Sequence, residues 1–341
     1  MSANIVIFYA SAGPSFEMLN VFLLSVMMWV LVLGGPVVAY FAFRWYNVSS
    51  RAFCKSNTDL SGKTVLITGG NAGIGYETAL EVAKRNARVI IACRDKTKGD
   101  ESAQRISEES GNVRVSCMAL DLSSLKSIRG FAGEFHSRES RLDILINNAG
   151  IIGSSSKRET EDGLELTIGT NHFGHFLLTN LLLDKLKQSA PSRVVTVSSV
   201  VQSWGKIDFN NLNSERSYSA GGVYFNSKLA NVLFVKELHR RYSDQGISAF
   251  SLHPGSVRTQ LLKTLPAPLK AIFDYLIMPL FFISAREGAQ TSLHCALEPG
   301  LETKSGCYFS NCAVTDEGPR AKDKEVAQKL WDVSETITGL A

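Results

Sequence analysis

Tyr224 and Lys228 are the residues of this 341-residue chain whose types and spacing most clearly suggest chemistry. They lie four positions apart at the start of a predicted helix, so both side chains would share one helix face. A phenol titrates at about 10, and a nearby ammonium favours the phenolate. Tyr224 could therefore act as a general acid or base near neutral pH. The same spacing also occurs by chance on ordinary helix faces.

Ser199 and Asn171 are two further polar residues in positions that suggest a role. Ser199 ends a predicted strand, at the sheet edge where ligands bind in doubly wound folds. A hydroxyl there can hydrogen bond to a substrate carbonyl, although a strand-end cap is the simpler explanation. Asn171 lies inside a predicted helix, where asparagine is a poor helix former. The alternative interpretation is that Asn171 is an ordinary polar residue on a solvated helix face.

A glycine-rich segment follows the first predicted strand and begins the next predicted helix: Thr68-Gly69-Gly70-Asn71-Ala72-Gly73-Ile74-Gly75. Glycines let a backbone turn tightly and approach a pyrophosphate, which then lies at the positive end of the helix. The spacing G-x-x-x-G-x-G differs from the common G-x-G-x-x-G. The segment predicts a nucleotide site, and a tight turn without a ligand is the alternative.

Cys93 and Arg94, after the second predicted strand, indicate which dinucleotide would bind. An acidic residue there would accept hydrogen bonds from the ribose 2′-hydroxyl of NAD and would repel a 2′-phosphate. A guanidinium instead suits a phosphate. The sequence thus favours NADP(H), unless Arg94 is a surface residue paired with Asp95.

Short β-branched runs alternate with amphipathic stretches from residue 63 onward, which is typical of βαβ units and a parallel sheet. The runs predict seven strands: Lys63–Thr68, Arg88–Ala92, Val113–Leu120, Asp143–Asn147, Arg193–Ser198, Ile247–His253 and Gly306–Ser310. The stretches predict helices that include Ile74–Arg85, Ser123–Arg138, Glu161–Lys187 and Tyr224–Ser243. The expected fold class is α/β, a doubly wound Rossmann-type parallel sheet with helices on both faces. One catalytic domain is expected over residues 61–320, followed by a C-terminal helix over residues 321–341.

The charge pattern separates the N-terminus from this domain. Met18 to Phe43 carries no charge and as a helix would be roughly 39 Å long, enough to cross a bilayer. Basic residues follow it, so the positive-inside rule predicts a cytosolic main domain. We expect a luminal segment (1–17), a single transmembrane helix (18–43) and a linker (44–60), with a helix packed on a soluble oligomer as the alternative. The net charge of +4 is too mild to indicate nucleic acid.

The joint occurrence of several motifs resembles the short-chain dehydrogenase/reductase family. In chain order they are Thr68–Gly75, Asn147-Asn148-Ala149-Gly150, Asn171, Ser199, the Tyr224 and Lys228 pair, and His253-Pro254-Gly255. Three segments resemble the retinol dehydrogenase subgroup: Ala92-Cys93-Arg94-Asp95, Asn171-His172-Phe173-Gly174-His175-Phe176-Leu177-Leu178-Thr179, and Gly288-Ala289-Gln290-Thr291-Ser292-Leu293-His294. Within that subgroup, the chain resembles the microsomal, NADP-preferring retinal reductase type, which also carries an N-terminal anchor.

The resemblance implies a catalytic tetrad. In it, Asn171 holds a helix bend and a water, Ser199 orients the substrate carbonyl, Tyr224 transfers the proton, and Lys228 binds the nicotinamide ribose and lowers the tyrosine pKa. It also implies cofactor contacts along the glycine-rich loop (Thr68, Gly69, Asn71, Gly73, Ile74, Gly75), at Arg94, at Asp121 and Leu122 near adenine, at Asn148, Ala149 and Gly150 near the ribose, and at Pro254, Gly255 and Thr259 near the carboxamide. It calls for no metal, and we expect His172, His175, His239, His253 and His294 to be structural.

The substrate side departs from the broad family. Ser199 and Tyr224 are 25 residues apart, wider than usual, and Trp204–Gly222 is expected to build one wall of the pocket. An apolar segment over residues 259–284, the predicted lid, follows the Pro254-Gly255 loop. Beside a membrane anchor it suggests a lipid substrate taken from the bilayer. Packing of the lid on the core or on a partner in a homodimer is the alternative.

Together with the residues above, the resemblance implies a single-pass, NADP(H)-dependent oxidoreductase at an endoplasmic-reticulum-type membrane. It would interconvert retinal and retinol, or a related small lipophilic aldehyde and alcohol. Steroid or other lipid ketones are alternative substrates. A membrane-tethered binding protein of the same fold without turnover is the other class of function, which the complete tetrad disfavours.

Overall fold

The computed structural model describes residues 35–257 and 282–341. The chain divides into two compact units: within the described part, one holds residues 35–51 and the other residues 52–257 and 282–341. The first unit contributes helix α1 (Gly35–Ser49). Pro36 stands in its first turn, where a missing backbone N–H leaves no hydrogen bond unmade.

Helix α1 does not end where the predicted anchor ends. It continues beyond Phe43 to Ser49, because no glycine or proline interrupts those residues, so the predicted linker over residues 44–60 begins as helix. No helix in the described part of the chain is both long enough and apolar enough to cross a membrane. The predicted luminal segment and residues 18–34 of the predicted anchor lie outside the described residues.

The second unit is built on a sheet of eight strands, where the sequence predicts about seven. They are β1 (Thr64–Thr68), β2 (Arg88–Cys93), β3 (Val115–Ala119), β4 (Ile144–Asn147), β5 (Ser192–Val197), β6 (Ile247–His253), β7 (Tyr308–Ser310) and β8 (Ala313–Val314). The order across the sheet is β3-β2-β1-β4-β5-β6-β7-β8. All neighbours are parallel except β7 and β8. The expected Rossmann-type α/β class is confirmed, and the strand count is corrected.

The additional strand β8 depends on a tight turn. Asn311 and Cys312 have φ angles of 51° and 57°, as the two central residues of a primed hairpin turn require. The turn returns the chain so that Phe309 pairs with Val314 in an antiparallel register. Two residues are too few for a periodic pattern, so the sequence did not predict this strand.

Strand β3 is shorter than the predicted run over residues 113–120. Val113 is 87% exposed, and the preceding Asn112 side chain donates to the carbonyls of Ala83 and Ala87 at 2.9 Å each. These bonds hold the chain in a turn, so pairing with β2 begins at Val115.

Helices cover both faces of the sheet. They are α2 (Gly73–Ala83), α3 (Lys96–Ser110), α4 (Leu125–Arg138), α5 (Leu166–Ile168), α6 (Gly174–Leu181), α7 (Leu183–Gln188), α8 (Ala220–Tyr242), α9 (Ala285–Leu297) and α10 (Lys324–Thr338). Side chains alternate along each strand. Val65 and Ile67 therefore lie in a core with α2, α3 and α9, and Leu66 lies in the opposite core with α4, α6 and α8.

The segment predicted as one helix over residues 161–187 is divided. Gly163 has a positive φ of 76°, and the Glu165 carboxylate accepts a 2.9 Å hydrogen bond from the Ile168 N–H, so helix α5 starts only after Glu165. A π-helical segment, Gly169–Phe173, then precedes α6. The irregular turn contains Asn171, whose poor helix propensity is consistent with this position.

Helix α8 begins before Tyr224, the predicted first residue. The Ser219 hydroxyl accepts a hydrogen bond from the Gly222 N–H at 3.3 Å and caps the helix. At the other end of the chain, the Trp331 ring of α10 stacks on Phe234 of α8, with centroids 5.7 Å apart. The C-terminal helix is thus packed into the core of the domain.

Candidate active site

The carboxyl ends of β1, β4, β5 and β6 are neighbours along one edge of the sheet. At or just after these ends stand, in that order, Thr68, Asn148, Ser199 and Pro254. A cleft of about 640 Å³ opens there, lined by the glycine-rich loop and by residues after β2, β3 and β4. The strand-end residues that the sequence singled out therefore lie along the edge at which this cleft opens, as parallel strands require.

The glycine-rich loop fits closely against its own backbone. Gly69 and Gly73 have φ angles of 67° and 56°, which favour glycine. A Cβ on Gly75 would lie 2.3 Å from the Gly69 carbonyl oxygen. No side chain caps α2, whose N-cap residue is Ala72. The first N–H groups of this helix therefore face the cleft without a side-chain acceptor, as an anion site needs.

Thr68 ties this loop to the segment after β4. Its buried hydroxyl oxygen accepts hydrogen bonds from the backbone N–H groups of Asn148 at 2.9 Å and Ala149 at 3.0 Å. The Asn148 side-chain amide returns a bond to the Thr68 carbonyl at 2.8 Å. The two backbone segments expected to bind the cofactor are thus held to each other by the protein itself.

Arg94 lies at the far end of the cleft and is exposed. The predicted alternative, a pair with Asp95, is absent in the described structure: Asp95 caps α3 and pairs with Lys98 at 3.0 Å. Lys98 also lines the cleft. Asp95 lines the cleft too and offsets the charge of Lys98, so Arg94 is the cation there without an ion pair among the described residues, which suits a phosphate group.

Asp121 and Leu122 line the same cleft after β3. The Asp121 carboxylate accepts hydrogen bonds from the Ser123 N–H at 2.9 Å and the Ser123 hydroxyl at 2.6 Å. Thr170, on the π-helical segment, lines the cleft beside them and is 9% exposed. Its hydroxyl has no hydrogen-bond partner within the described structure. A buried hydroxyl of this kind fits a polar ligand such as a dinucleotide.

Ser199 and Tyr224 lie close together at the end of β5. The Ser199 hydroxyl is near enough to the Tyr224 phenol to lower its pKa, but burial has the larger effect and raises that pKa. The sequence predicted that Lys228 would lower it. In the structure the Lys228 Nζ donates to the Val197 carbonyl at 3.2 Å and lies 5.6 Å from the Tyr224 ring centroid.

Lys228 is buried, with 4% exposure. Burial lowers the pKa of its ammonium to about 8. The Ser198 hydroxyl donates to the Lys228 carbonyl at 2.6 Å, which joins helix α8 to the end of β5. The lysine is thus held in place by both its backbone and its side chain, close to the phenol.

Asn171 lies behind these groups and is fully buried. Its side chain accepts from the Ile151 N–H at 2.8 Å and donates to the Ile151 carbonyl at 2.9 Å and to the Ser227 hydroxyl at 3.0 Å. A Cβ on Gly150 would come within 3.3 Å of both the Asn171 Oδ1 and the Lys228 Nζ. The structure therefore brings all four predicted tetrad residues together.

Pro254 and Gly255 follow β6 at the same edge. Gly255 has a φ of 88°, and a Cβ there would lie 2.4 Å from the Ile283 Cδ1. Val257 pairs with Ile283 in a short parallel bridge. Thr259 and most of the predicted lid, residues 259–281, lie outside the described residues.

Sequence reasoning missed Thr170, Ile151 and Lys98 at the cleft. Thr170 and Ile151 each stand next to a recognised residue, and that adjacency was the available signal. His175 was expected to be structural, yet it hydrogen bonds to Thr68 and to Asn171. No cluster of histidine, cysteine or acidic side chains within residues 35–257 and 282–341 could hold a metal ion.

Comparison with known proteins agrees with this geometry. The family model described as short chain dehydrogenase matches residues 63–270. Human retinol dehydrogenase 12 is 49% identical over 317 residues, covering 91% of this chain and 99% of that protein. Human retinol dehydrogenase 11 is 44% identical over 326 residues, covering 95% of this chain and 98% of that protein.

A solved structure is similar as well. The Pseudomonas aeruginosa RhlG/NADP active-site complex aligns with a TM-score of 0.60 and 26% identity, covering 74% of this chain and 95% of that one. The sequence relatives and the solved structure thus agree on the family and on the fold. The chain belongs to the short-chain dehydrogenase family, within its retinol dehydrogenase group, and is an oxidoreductase that acts on CH–OH donors with a nicotinamide cofactor.

Proposed function

We propose that this protein is a membrane-anchored, NADP(H)-dependent enzyme that interconverts retinal and retinol or a related lipid aldehyde and alcohol. The observation that carries the proposal is that Ser199, Tyr224 and buried Lys228 lie together at the end of β5, beside Gly150, which lines a cleft of about 640 Å³. The names of the relatives support a retinoid as substrate.

The chain's own residues account for the proton and the carbonyl. When bound, the nicotinamide cofactor supplies or takes up the hydride. Burial raises the pKa of Tyr224, so its phenol keeps its proton at neutral pH and can donate it to the oxygen of a carbonyl substrate. Ser199 donates a hydrogen bond to the same oxygen. Lys228, with its pKa lowered to about 8, remains mostly charged at pH 7 and would bind a ribose hydroxyl of the cofactor.

NADP(H) is supported by Arg94, which lines the cleft. Arg94 follows β2 where an acidic residue would favour NAD, and within the described residues it forms no ion pair that would neutralise it. Thr68, Gly69, Asn71, Gly73, Ile74 and Gly75 would hold the pyrophosphate, and Asn148, Ala149 and Gly150 the ribose, with Asp121 and Leu122 near adenine. Pro254, Gly255 and Thr259 would contact the carboxamide.

A lipid substrate is supported by apolar surface next to Ser199. Val200 and Trp204 follow it and are 52% and 65% exposed. Trp204 packs edge-on against Phe225, with ring centroids 5.5 Å apart. Large exposed apolar side chains beside a catalytic serine suit a hydrophobic substrate better than a sugar or an acid. The predicted lid over residues 259–284 would complete this wall.

Attachment to an endoplasmic-reticulum membrane, with the catalytic domain in the cytosol, is the topology we propose. The uncharged run over residues 18–43 supports it. Protease added to intact microsomes should digest the domain, whereas protection until detergent is added would place it in the lumen. Loss of microsomal association after deletion of residues 1–43 is the matching test of the anchor.

Tyr224→Phe tests the reaction. We expect NADPH-dependent reduction of all-trans-retinal to fall at least about a thousandfold, because the proton donor is lost. Tyr242→Phe, in the same helix but packed on Trp331, is the control and should retain activity. Unchanged turnover in Tyr224→Phe would refute the mechanism. A parallel panel of steroid ketones and medium-chain aldehydes ranks the substrates.

A further inference from the structure

A chain of buried hydrogen bonds joins the glycine-rich loop to Asn171 through His175. The Thr68 hydroxyl lies 2.9 Å from the His175 Nε2. The His175 Nδ1 lies 3.0 Å from the Asn171 carbonyl oxygen. Thr68 and Asn171 are fully buried and His175 is 1% exposed. Water therefore does not compete for these bonds.

Only one assignment of donors and acceptors is consistent with these hydrogen bonds. A carbonyl oxygen can only accept, so the His175 Nδ1 carries the hydrogen and the Nε2 of the neutral ring must accept. The Thr68 hydroxyl then donates to His175, since its other possible acceptor, the Ile146 carbonyl, is farther away at 3.4 Å. The Thr68 oxygen accepts from the Asn148 and Ala149 N–H groups, so its hydrogen-bonding capacity is fully used.

Asn171 closes the connection into a ring. Its side chain bonds to both backbone groups of Ile151, which directly follows the Asn148 to Gly150 segment held by Thr68. Gly150 lies between Asn171 and the Lys228 ammonium. A displacement of the cofactor-binding loop would therefore move Asn171, and through the Gly150 contact would change the surroundings of Lys228.

We propose that His175 is a positioning residue that couples the glycine-rich loop, through Thr68, to Asn171 and so aligns the cofactor with the proton-transfer residues. The proposal rests on the proposed function, because it takes Asn171 and Lys228 as parts of the reacting site. It assigns His175 no contact with substrate or cofactor. Its effect is to hold two backbone segments in a fixed relation.

His172 provides a matched comparison within the same segment. It is also buried, at 1% exposure, but its Nε2 lies 3.1 Å from the Ser334 hydroxyl of α10, away from the cleft. Replacement of either histidine by phenylalanine removes hydrogen bonds while keeping an aromatic ring. A purely structural role for His175 predicts that the two variants behave alike.

The test is a double-mutant cycle between Thr68→Val and His175→Phe. The dissociation constant for NADPH is measured by protein fluorescence, and kcat and KM are measured with retinal. His175→Phe should raise the NADPH dissociation constant and lower kcat by about tenfold, the scale of a lost buried hydrogen bond. Thr68→Val should have a larger effect, because it also loses the bonds accepted from the Asn148 and Ala149 N–H groups. The double variant should lose little more than Thr68→Val alone, because both changes break the same connection.

Conservative variants and the control sharpen the outcome. Thr68→Ser keeps the hydroxyl and should restore NADPH affinity. His175→Gln keeps an acceptor for Thr68 but no donor positioned for Asn171, so affinity should recover more than kcat. His172→Phe should lower the unfolding temperature with the NADPH dissociation constant unchanged.

Three results would overturn the proposal: additive losses in the cycle, equal effects of His172→Phe and His175→Phe on NADPH binding, or full NADPH affinity in Thr68→Val. The last readout also covers the case in which His175→Phe does not fold. Cofactor binding is measured without retinal, so failure of the coupling is distinguishable from failure of the proposed reaction. The proposed reaction is refuted by a different result, unchanged turnover in Tyr224→Phe.

Discussion

The two halves of the candidate active site differ in how their polar groups are hydrogen bonded. In the binding half, which we define as residues 68–75 and 148–151, the polar groups are largely bonded to one another, as in the Thr68 hydroxyl contacts with Asn148 and Ala149. In the reacting half, Ser199, Tyr224 and Lys228, the Ser199 hydroxyl lies close enough to the Tyr224 phenol to lower its pKa. Among the described residues, the hydrogen bond to the Ser199 hydroxyl is a long 3.5 Å contact from the Val201 N–H.

The difference separates affinity from chemistry. Internal bonds in the binding half keep its backbone in a ligand-ready shape before the cofactor arrives, which reduces the entropy lost on binding. Groups that must donate a proton or a hydrogen bond to substrate cannot be committed to the protein in the same way. Changes in the reacting half should therefore alter rate, and changes in the binding half should alter affinity and stability.

Of the changes compared here, Lys228→Met should have the largest effect on turnover. It should also separate activity from stability most clearly. Loss of the ammonium should reduce turnover by about a hundredfold to ten-thousandfold. The free energy of unfolding should stay equal or rise, since burial already lowers the pKa of this lysine to about 8 and a buried charge is costly. Lys236→Met in the same helix is the control. Equal losses of stability and activity would contradict the separation.

Gly75→Ala tests the binding half. The added Cβ would lie 2.3 Å from the Gly69 carbonyl, so we expect at least tenfold weaker NADPH binding and a loss of about 1–3 kcal/mol in unfolding free energy. Gly133→Ala in helix α4 is the matched control, because nothing lies within 4 Å of its Cβ position. That control should gain up to about 1 kcal/mol. Isothermal titration and urea unfolding measure both.

Arg94→Asp tests whether the exposed end of the binding half selects the cofactor. A carboxylate there would repel a 2′-phosphate and accept bonds from a ribose 2′-hydroxyl. The ratio of kcat/KM for NADPH over NADH should fall about tenfold to a hundredfold, with the unfolding temperature unchanged because Arg94 is exposed. Lys304→Asp, on the exposed turn before β7, serves as a charge-matched control. An unchanged ratio would remove the argument for NADP(H).

Acid should destabilise the buried segment that contains His172 and His175. Burial lowers the pKa of His172 to about 3 and of His175 to about 4. The unfolded chain takes up protons below pH 6.5 that the folded protein does not, so the free energy of unfolding falls as pH drops from about 6.5 towards 4. Each histidine should contribute about 2 kcal/mol of loss at pH 5. Urea unfolding at pH 7 and pH 5 measures this, and His172→Phe should reduce the dependence.

Local patterns in the sequence determined the α/β class, the glycine-rich loop and the Tyr224, Lys228 and Ser199 constellation. These follow from short-range physics: β-branched runs favour buried strands, glycine permits positive φ, and four-residue spacing sets a helix face. The carboxyl ends of neighbouring parallel strands then bring the residues to one edge. That step requires no information about contacts between side chains that are distant in the sequence.

The tertiary structure alone decided the features that depend on partners distant in the chain. Strand β8 needs a neighbour with which to pair, and the raised pKa of Tyr224 comes from the burial that packing creates. The bonding of His175 depends on Thr68, which lies 107 residues away. The local sequence around a histidine does not tell whether that histidine faces Thr68 or Ser334. Which buried group it meets is set by how the helix packs on the sheet.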